Sequence, residues 1–243
     1  MTAEDDWKRW CERFDRTHNG VIRLFHDRSI WRTILAMLEA NKGVTRGGFG
    51  EYWLGSCYTA SQLIGIRRET GADSSSIGIR RSLNDLEDNP QMATRAWHRQ
   101  QIAQRGHQGE DLDCFASGFN RFAAAGQPFI DPALVREDIT ALQAVIARVN
   151  RYTNKTLAHR DDDISRGAPR APDITWAELD AAIDAIGTIH KKYYSLRHPG
   201  ESLWALTPLT PPGWIQLFGT AWMPPGFSMP DDLGLEPSGA PTY

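Results

Sequence analysis

Apolar side chains in this chain recur at intervals of three and four residues, and this spacing constrains the fold more than any other feature. In the clearest stretch the recurring residues are Val135, Ile139, Leu142, Ile146 and Val149. Such spacing puts one apolar face on an α-helix. Asp131 and Pro132 are a favourable N-cap and first-turn pair. The sequence therefore predicts a long helix from this pair to about Arg160.

The same spacing predicts helices in most of the first 198 residues. For residues 4–25 and 29–41 we predict two helices, or one helix kinked near 27–29. A helix over 49–68 is predicted with an apolar side formed by Trp53, Leu54, Cys57, Ala60, Leu63 and Ile64. A short helix follows, capped by Ser74–Ser76 and carrying Ile77, Ile79, Leu83 and Leu86, and then two weaker helices over 92–103 and 112–125. The last predicted helix opens with a capping box at Thr175–Glu178 and runs to Tyr194. No stretch alternates convincingly with a period of two, so the fold class is all-α.

Composition narrows the function classes. A 243-residue chain that is 41% hydrophobic can bury a core, and a net charge of −3 argues against a bulk polyanion binder, leaving room for a local basic patch. Three cysteines without CxxC spacing predict reduced, buried thiols. The acidic start lacks the apolar segment of a signal peptide, which indicates a cytoplasmic protein.

The last 45 residues differ in composition from the rest. They hold nine of the 14 prolines and neither lysine nor arginine. Residues 202–230 are uncharged, but their prolines would break a membrane-spanning helix, so no membrane contact is expected. We predict a helical domain over 1–198, a Pro/Trp-rich extended strap packed on it over 199–230, and a disordered tail over 231–243.

The segment 151–163 places charges where the apolar stripe of the long helix stops. Arg151, Lys155 and His159 follow one another at four-residue spacing, so three potential cations share one polar face. A histidine near a helix end is often a partner of the helix dipole or a structural hydrogen-bonder. The aspartates 161–163 next to it suit a metal site chemically, but consecutive loop aspartates are usually solvated, and we expect no metal or cofactor.

Two pairs of arginines are candidates for a nucleic-acid contact. Arg67 and Arg68 are separated by about a dozen residues from Arg80 and Arg81, and the pairs can meet as a phosphate-binding rim. Solvated helix ends are the ordinary alternative. The tryptophans can stack on bases, although core packing is typical at helical spacing. The glycines at 47–50 lack the Lys-Ser/Thr of a phosphate-binding loop.

The string Asn154-Lys155-Thr-Leu-Ala-His159-Arg-Asp161 resembles the HEPN superfamily, in particular its AbiU2-like branch. A polar loop follows it, and then a helix ending in Lys191-Lys-Tyr-Tyr194. Upstream, Gln62 to Arg68 and then Ser82-Leu83 also resemble that branch, so the similarity covers roughly residues 20–223.

The resemblance implies a helical bundle with the motif helix at its centre, commonly dimeric. Many HEPN proteins are metal-independent ribonucleases of toxin–antitoxin and phage-defence systems. It therefore implies RNA as the target, a second copy of the chain as a partner, and an antitoxin or another defence protein as a further partner.

The catalytic pattern of the family is an arginine followed, after four to six residues, by the histidine. Positions 152–154 of this chain hold Tyr, Thr and Asn instead. His159 can move a proton to or from an RNA oxygen, and Arg151 or Lys155 can stabilise phosphate charge, whereas Asn154 can only hydrogen-bond. The alternative to a ribonuclease is a non-catalytic HEPN module for dimerisation or binding.

Overall fold

A computed structural model describes residues 2–40, 49–71, 77–154, 174–201 and 206. These contain seven α-helices: α1 Ala3–Ala40, α2 Phe49–Thr70, α3 Ile79–Asp88, α4 Arg95–Gln104, α5 Gly109–Ala116, α6 Pro132–Tyr152 and α7 Trp176–Arg197. Two 3₁₀ turns cover Pro90–Met92 and Ser117–Arg121. Within the described ranges the extended pairing is limited to one isolated bridge, Thr94 with Phe129. The all-α prediction is confirmed.

The predicted N-terminal signals are partly right. The side chain of Asp131 accepts from the backbone N–H of Ala133, and Thr175 with Glu178 forms the reciprocal capping box. The serine cap at 74–76 is wrong, because α3 begins after Gly78, which offers no side-chain oxygen. A Cβ at Gly78 would lie 2.6 Å from the carbonyl oxygen of Arg68, so close helix packing, and not a side-chain cap, fixes this junction.

Several helix boundaries differ from the prediction. Residues 3–40 form a single helix through 27–29. The helix predicted over 92–103 starts only at Arg95, where Thr94 caps it, and the one predicted over 112–125 is α5 followed by a 3₁₀ turn. Helix α7 continues past Tyr194 to Arg197. The long helix ends as an α-helix at Tyr152 and continues as a π turn at 153–154, and its predicted remainder to 160 lies outside the described residues.

Helices α1 and α7 lie antiparallel and are joined along their length by ion pairs. Arg197 contacts Asp15 at 3.0 Å, Arg28 contacts Asp184 at 2.8 Å, and Arg32 contacts Asp180 at 2.9 Å. Gly187 lets the helices approach, since a Cβ there would lie 2.3 Å from the ring of Phe25. Backbone proximity and matched charge together fix this seam.

Helix α6 packs between α3 and α7 and also touches α2. Its apolar face, Val135, Ile139, Leu142, Ile146 and Val149, is buried as predicted. Asp138 joins it to α7, because its Oδ2 accepts from the hydroxyl of Tyr193 at 2.8 Å and from Nζ of Lys192 at 2.6 Å. Helix α6 therefore buries one face against its neighbours and leaves most of its other residues exposed.

The predicted apolar side of α2 is wrong in part. Leu63 is buried, but Cys57 is exposed, and the side chains of Trp53 and Ile64 are 55% and 60% exposed. The face that α2 buries against its neighbours includes the polar residues Gln62, Glu69 and Thr70. We call Trp53, Cys57, Ala60 and Ile64 the outer stripe of α2.

Two further predictions have mixed outcomes. Cys11 is buried as predicted, whereas Cys57 and Cys114 are exposed, so that prediction is wrong for two thiols. Most of the predicted strap and all of the predicted tail lie outside the described residues, and the domain boundaries stay predictions. None of the described helices is long and apolar enough to cross a membrane.

Candidate functional site

The carboxyl end of α6 begins the segment that the sequence singled out. Arg151 and Asn154 are exposed there, while Tyr152 is half-buried and Thr153 is buried. The hydroxyl of Thr153 donates to the carbonyl oxygen of Val149 at 2.8 Å, a bond that satisfies this side chain inside its own helix. Lys155, His159 and the aspartates 161–163 lie outside the described residues.

The carboxyl end of α2 meets the carboxyl end of α6. The hydroxyl of Thr70 donates to the carbonyl oxygen of Ile66 at 2.7 Å and accepts from Nδ2 of Asn150 at 3.4 Å. Arg67 and Arg68 leave α2 within the preceding turn, as Arg151 does next to Asn150. Both helix dipoles present their negative ends here, which favours cations at this end of the bundle. We call this region the α2/α6 end.

Glu69 gives the α2/α6 end an unusual buried carboxylate. Burial raises the pKa of Glu69 to about 7, and the Arg68 guanidinium, whose Nε donates to Oε1 at 3.1 Å, only partly opposes that rise. Oε2 is buried without a hydrogen-bond partner. Gly20 of α1 makes room for this carboxylate, because a Cβ at Gly20 would lie 2.1 Å from Oε1. The group therefore titrates near neutral pH.

The backbone brings the two predicted arginine pairs together, but their side chains do not form one continuous rim. Gly78 packs against the last turn of α2, so the two arginine pairs are close in space. Nε of Arg80 donates to Asn84 at 3.0 Å, however, and Arg81 pairs with Asp85 at 2.8 Å. Arg67 and Arg151 have no ion-pair partner among the described residues. Within the described part of the chain, Arg67 and Arg151 are thus the cations of this set without an ion pair.

A group of histidines between α1 and α7 escaped the sequence reasoning. Nδ1 of His18 lies 2.9 Å from Nε2 of His190, which is fully buried and stacks on Phe14 at a centroid distance of 4.9 Å. His198 lies 3.6 Å from Asp15 and tilts against Tyr194. The available signal was four-residue spacing, with positions 14 and 18 on one helix and 190, 194 and 198 on the other.

Burial decides the charge of these histidines. Desolvation, together with smaller contributions from the nearby His18 and His198, lowers the pKa of His190 to about 3. Desolvation also lowers the pKa of His18 and of His198. A neutral imidazole donates through one ring nitrogen and accepts through the other, so the short His18–His190 contact needs at least one neutral ring. The group is suited to holding α1 against α7 at neutral pH.

Two further findings narrow the basis for assigning a function. They contain no group of three or more His, Cys, Asp or Glu side chains placed to hold a metal ion. No family model, curated protein or solved structure matches the chain. A functional assignment therefore depends on the geometry of the bundle and the chemistry of its side chains.

Proposed function

We propose that this chain is an AbiU2-like HEPN protein that acts on RNA in the cytoplasm, in a phage-defence or toxin–antitoxin system. The observation that best supports this proposal is the hydrogen bond between Asn150 and Thr70, which joins the carboxyl end of the motif helix to that of α2. The exposed guanidinium groups of Arg67 and Arg151 and the half-exposed one of Arg68 leave this junction. Cations held in this way on a chain of net charge −3 favour a focal phosphate contact.

The reaction proposed is metal-independent cleavage of RNA. His159 moves a proton between the 2′-hydroxyl or the leaving 5′-oxygen and solvent, and Arg151 and Lys155 stabilise the charge that develops on the phosphate. Asn154, exposed on the last described turn, contributes a hydrogen bond without charge.

A non-catalytic RNA-binding module is the second candidate, and one observation favours it. The three positions where the family pattern requires arginine hold a half-buried tyrosine, a buried threonine and an asparagine. The threonine hydroxyl is already bonded within the helix, so it offers nothing to a phosphate. In this version Arg67 and Arg151 bind the backbone of RNA without cutting it.

Cleavage of varied RNAs by the purified chain, free of any antitoxin, separates the two candidates. The ribonuclease proposal expects cleavage that persists in EDTA, is abolished in His159→Ala and is slowed in Arg151→Ala and Lys155→Ala. His26→Ala serves as the matched control, since His26 is a half-buried histidine on α1, away from the α2/α6 end. Wild-type protein that binds RNA and never cuts it establishes the binding module. Cleavage retained in His159→Ala removes that residue from the proposed site.

The proposed assembly is a homodimer, and the outer stripe of α2 supports it. Trp53, Cys57 and Ile64 share one helical face and leave it uncovered in the single chain. Exposed apolar surface of this kind is typical of a protein contact. A second copy that covers the stripe would place the two α2 helices side by side around a dyad. An antitoxin or another defence protein is the further partner in this proposal.

A further inference from the structure

An open cleft of about 450 Å³ lies between the first half of α1, helix α3 and the turn that follows it. The described residues that line it are four arginines, three carboxylates, one amide and one methionine: Arg9, Arg13, Arg16, Arg81, Asp6, Glu12, Asp85, Asn89 and Met92. The arginines of α1 recur at intervals of four and three residues, which places them on one face of the helix. Arginine is thus the dominant chemistry of this wall.

Asp85 organises the inner part of the cleft. Its Oδ2 lies 2.5 Å from Nη2 of Arg13, and its Oδ1 lies 2.8 Å from Nη2 of Arg81. A single carboxylate cannot neutralise two guanidinium groups, and it engages one terminal nitrogen of each. Because a guanidinium carries five N–H donors, both arginines keep donors for an anion. The Nε atoms of both are buried without a hydrogen-bond partner, so the donors that an anion in the cleft can reach are terminal nitrogens.

The outer part of the cleft is also open to an anion. Arg16 is exposed, and none of the described carboxylates lies within ion-pair distance of it. Arg9 pairs with Asp6 in a solvent-exposed contact, a kind of pair that contributes little and exchanges easily. Glu12 is exposed on the rim. The described residues that line the cleft therefore include four arginines and three carboxylates, a small positive excess in a chain whose net charge is −3.

The lining also narrows the class of anion. None of the described residues that line the cleft is aromatic, so they offer no stacking surface for a base. Guanidinium groups match the oxygens of a phosphate in pairs and keep their charge at all physiological pH values. The wall is therefore suited to recognising phosphate oxygens by charge, without reading the rest of the molecule.

Arg68, at the α2/α6 end, lies close to the part of α1 that follows the cleft. A Cβ at Gly20 would lie 3.3 Å from Nη2 of Arg68, so the Arg68 guanidinium lies against α1 at Gly20. Arg16 precedes Gly20 by one turn, a rise of about 6 Å along the helix. Arg68 and the cleft arginines are thus neighbours along α1, on the side where the RNA contact is proposed.

We infer that this cleft binds phosphate groups through Arg13, Arg16 and Arg81, with Asp85 as the residue that positions Arg13 and Arg81. The phosphates come from the backbone of a single-stranded RNA or from a free polyphosphate, and the two sources share this chemistry. The cleft lies outside the motif helix, and phosphate binding in it does not require RNA cleavage.

The test measures binding to two probes by the full chain: a fluorescein-labelled single-stranded RNA by anisotropy, and inorganic pyrophosphate by titration calorimetry. Arg16→Gln removes an exposed cleft charge without breaking an ion pair and is expected to leave the thermal unfolding midpoint unchanged. Arg23→Gln is the matched control, because the side chain of Arg23 is 73% exposed on the same helix and lies outside the cleft. Arg151→Gln reports on the α2/α6 end.

A cleft-bound RNA backbone predicts a several-fold loss of RNA affinity in Arg16→Gln. The slope of log affinity against log salt should also become shallower by about 0.7, the value for one released contact on a single strand. Arg23→Gln should bind like wild type. A free-polyphosphate site predicts the same contrast with pyrophosphate and no such contrast with RNA.

Equal binding by wild type, Arg16→Gln and Arg23→Gln overturns the inference, as does an equal loss in both variants or a wild type that binds neither probe. RNA binding that weakens in Arg151→Gln alone removes the cleft and keeps the proposed function. Pyrophosphate binding that depends on Arg16, in a chain that does not bind RNA, does the reverse.

Discussion

Helices α1 and α2 both carry a row of large apolar side chains at helical spacing, and only one of the two rows is covered. On α1, Trp7 stacks on Trp10 at 4.8 Å and Trp10 on Phe14 at 4.8 Å, and the stack continues into α7 at His190. On α2, Trp53 and Ile64 lie more than half exposed. The spacing alone is the same kind of signal in both helices.

The difference between the rows lies in what faces them. The α1 row has α7 and α3 against it, and the indole N–H of Trp10 donates to the carbonyl oxygen of Ser82 at 2.8 Å. The outer stripe of α2 faces solvent in the single chain, because the face of α2 that packs on the other helices is the one with the polar residues Gln62, Glu69 and Thr70. Periodicity thus predicts that a helix has an apolar face, and it does not identify the surface that will cover it.

The largest expected effect is the loss of a ring from the covered row. Trp10→Ala removes a fully buried indole and its hydrogen bond, and should lower the free energy of unfolding by about 3–5 kcal/mol. Trp53→Ala, the same truncation in the uncovered row, should lower it by clearly less in the monomer, because more than half of that side chain is already exposed. Urea unfolding followed by circular dichroism measures both. Similar losses in the two variants would contradict the contrast between the rows.

Buried histidines, among them His190 at the end of the covered row, should make the fold sensitive to acid. Burial lowers the pKa of His190 to about 3 and that of His98 to about 4, whereas an unfolded histidine titrates near 6.5. Below pH 6.5 these histidines bind protons in the unfolded chain but not in the folded chain. The free energy of unfolding is therefore highest above pH 6.5 and falls as the pH drops towards 4 and then 3. Each histidine should contribute a slope of up to about 1.4 kcal/mol per pH unit.

His190→Phe isolates one part of this acid effect. Phenylalanine keeps a ring against Phe14 and cannot be protonated, so the variant should lose up to about 1.4 kcal/mol of slope per pH unit between pH 6 and 4. His26→Phe is the control, because the His26 ring lies partly in solvent. A slope that stays at the wild-type value in His190→Phe would show that the buried pair is not an acid-sensitive contact.

Glu69, on the inward face of α2, should respond to pH with the opposite sign. Its folded pKa of about 7 lies above the ordinary value of 4.5, so ionisation opposes folding, with no cost below 4.5 and the full cost above 7. Glu69→Gln should therefore be more stable than wild type by about 1–3 kcal/mol at pH 8, and equal to it near pH 4.5. Glu12→Gln, at an exposed carboxylate, is the control. A variant less stable than wild type at pH 8 would mean that the ion pair with Arg68 outweighs the desolvation.

The sequence predicts local features of this fold better than it predicts contacts between helices. The cap at Asp131, the capping box at Thr175 and the buried stripe of α6 depend on residues within a few positions of one another, and all three are confirmed. The start of α3 at Gly78 depends on the carbonyl oxygens of α2, and no local pattern contains that information.

The same division applies to the candidate sites. The four arginines around the junction of α2 and α3 were identified from sequence, but not that Arg80 and Arg81 would contact Asn84 and Asp85 of their own helix. The cleft depends on α1 packing against α3, since Asp85 has to face Arg13 from another helix. The buried carboxylate of Glu69 likewise depends on a glycine 49 positions earlier in the chain.

The smallest effect on stability, and the sharpest test of the uncovered row, is expected at Ile64. Ile64→Gln replaces a 60% exposed side chain and should change the unfolding free energy of the monomer by less than about 0.5 kcal/mol. If a second copy covers the outer stripe, the same change places an amide in an apolar contact and should shift the dimer towards monomer. Light scattering over a range of protein concentrations measures this shift. Val145→Gln, at an exposed apolar residue of α6 outside the stripe, should leave assembly unchanged. A wild-type chain that is monomeric at tens of micromolar would contradict the dimer and leave the outer stripe of α2 as ordinary exposed apolar surface.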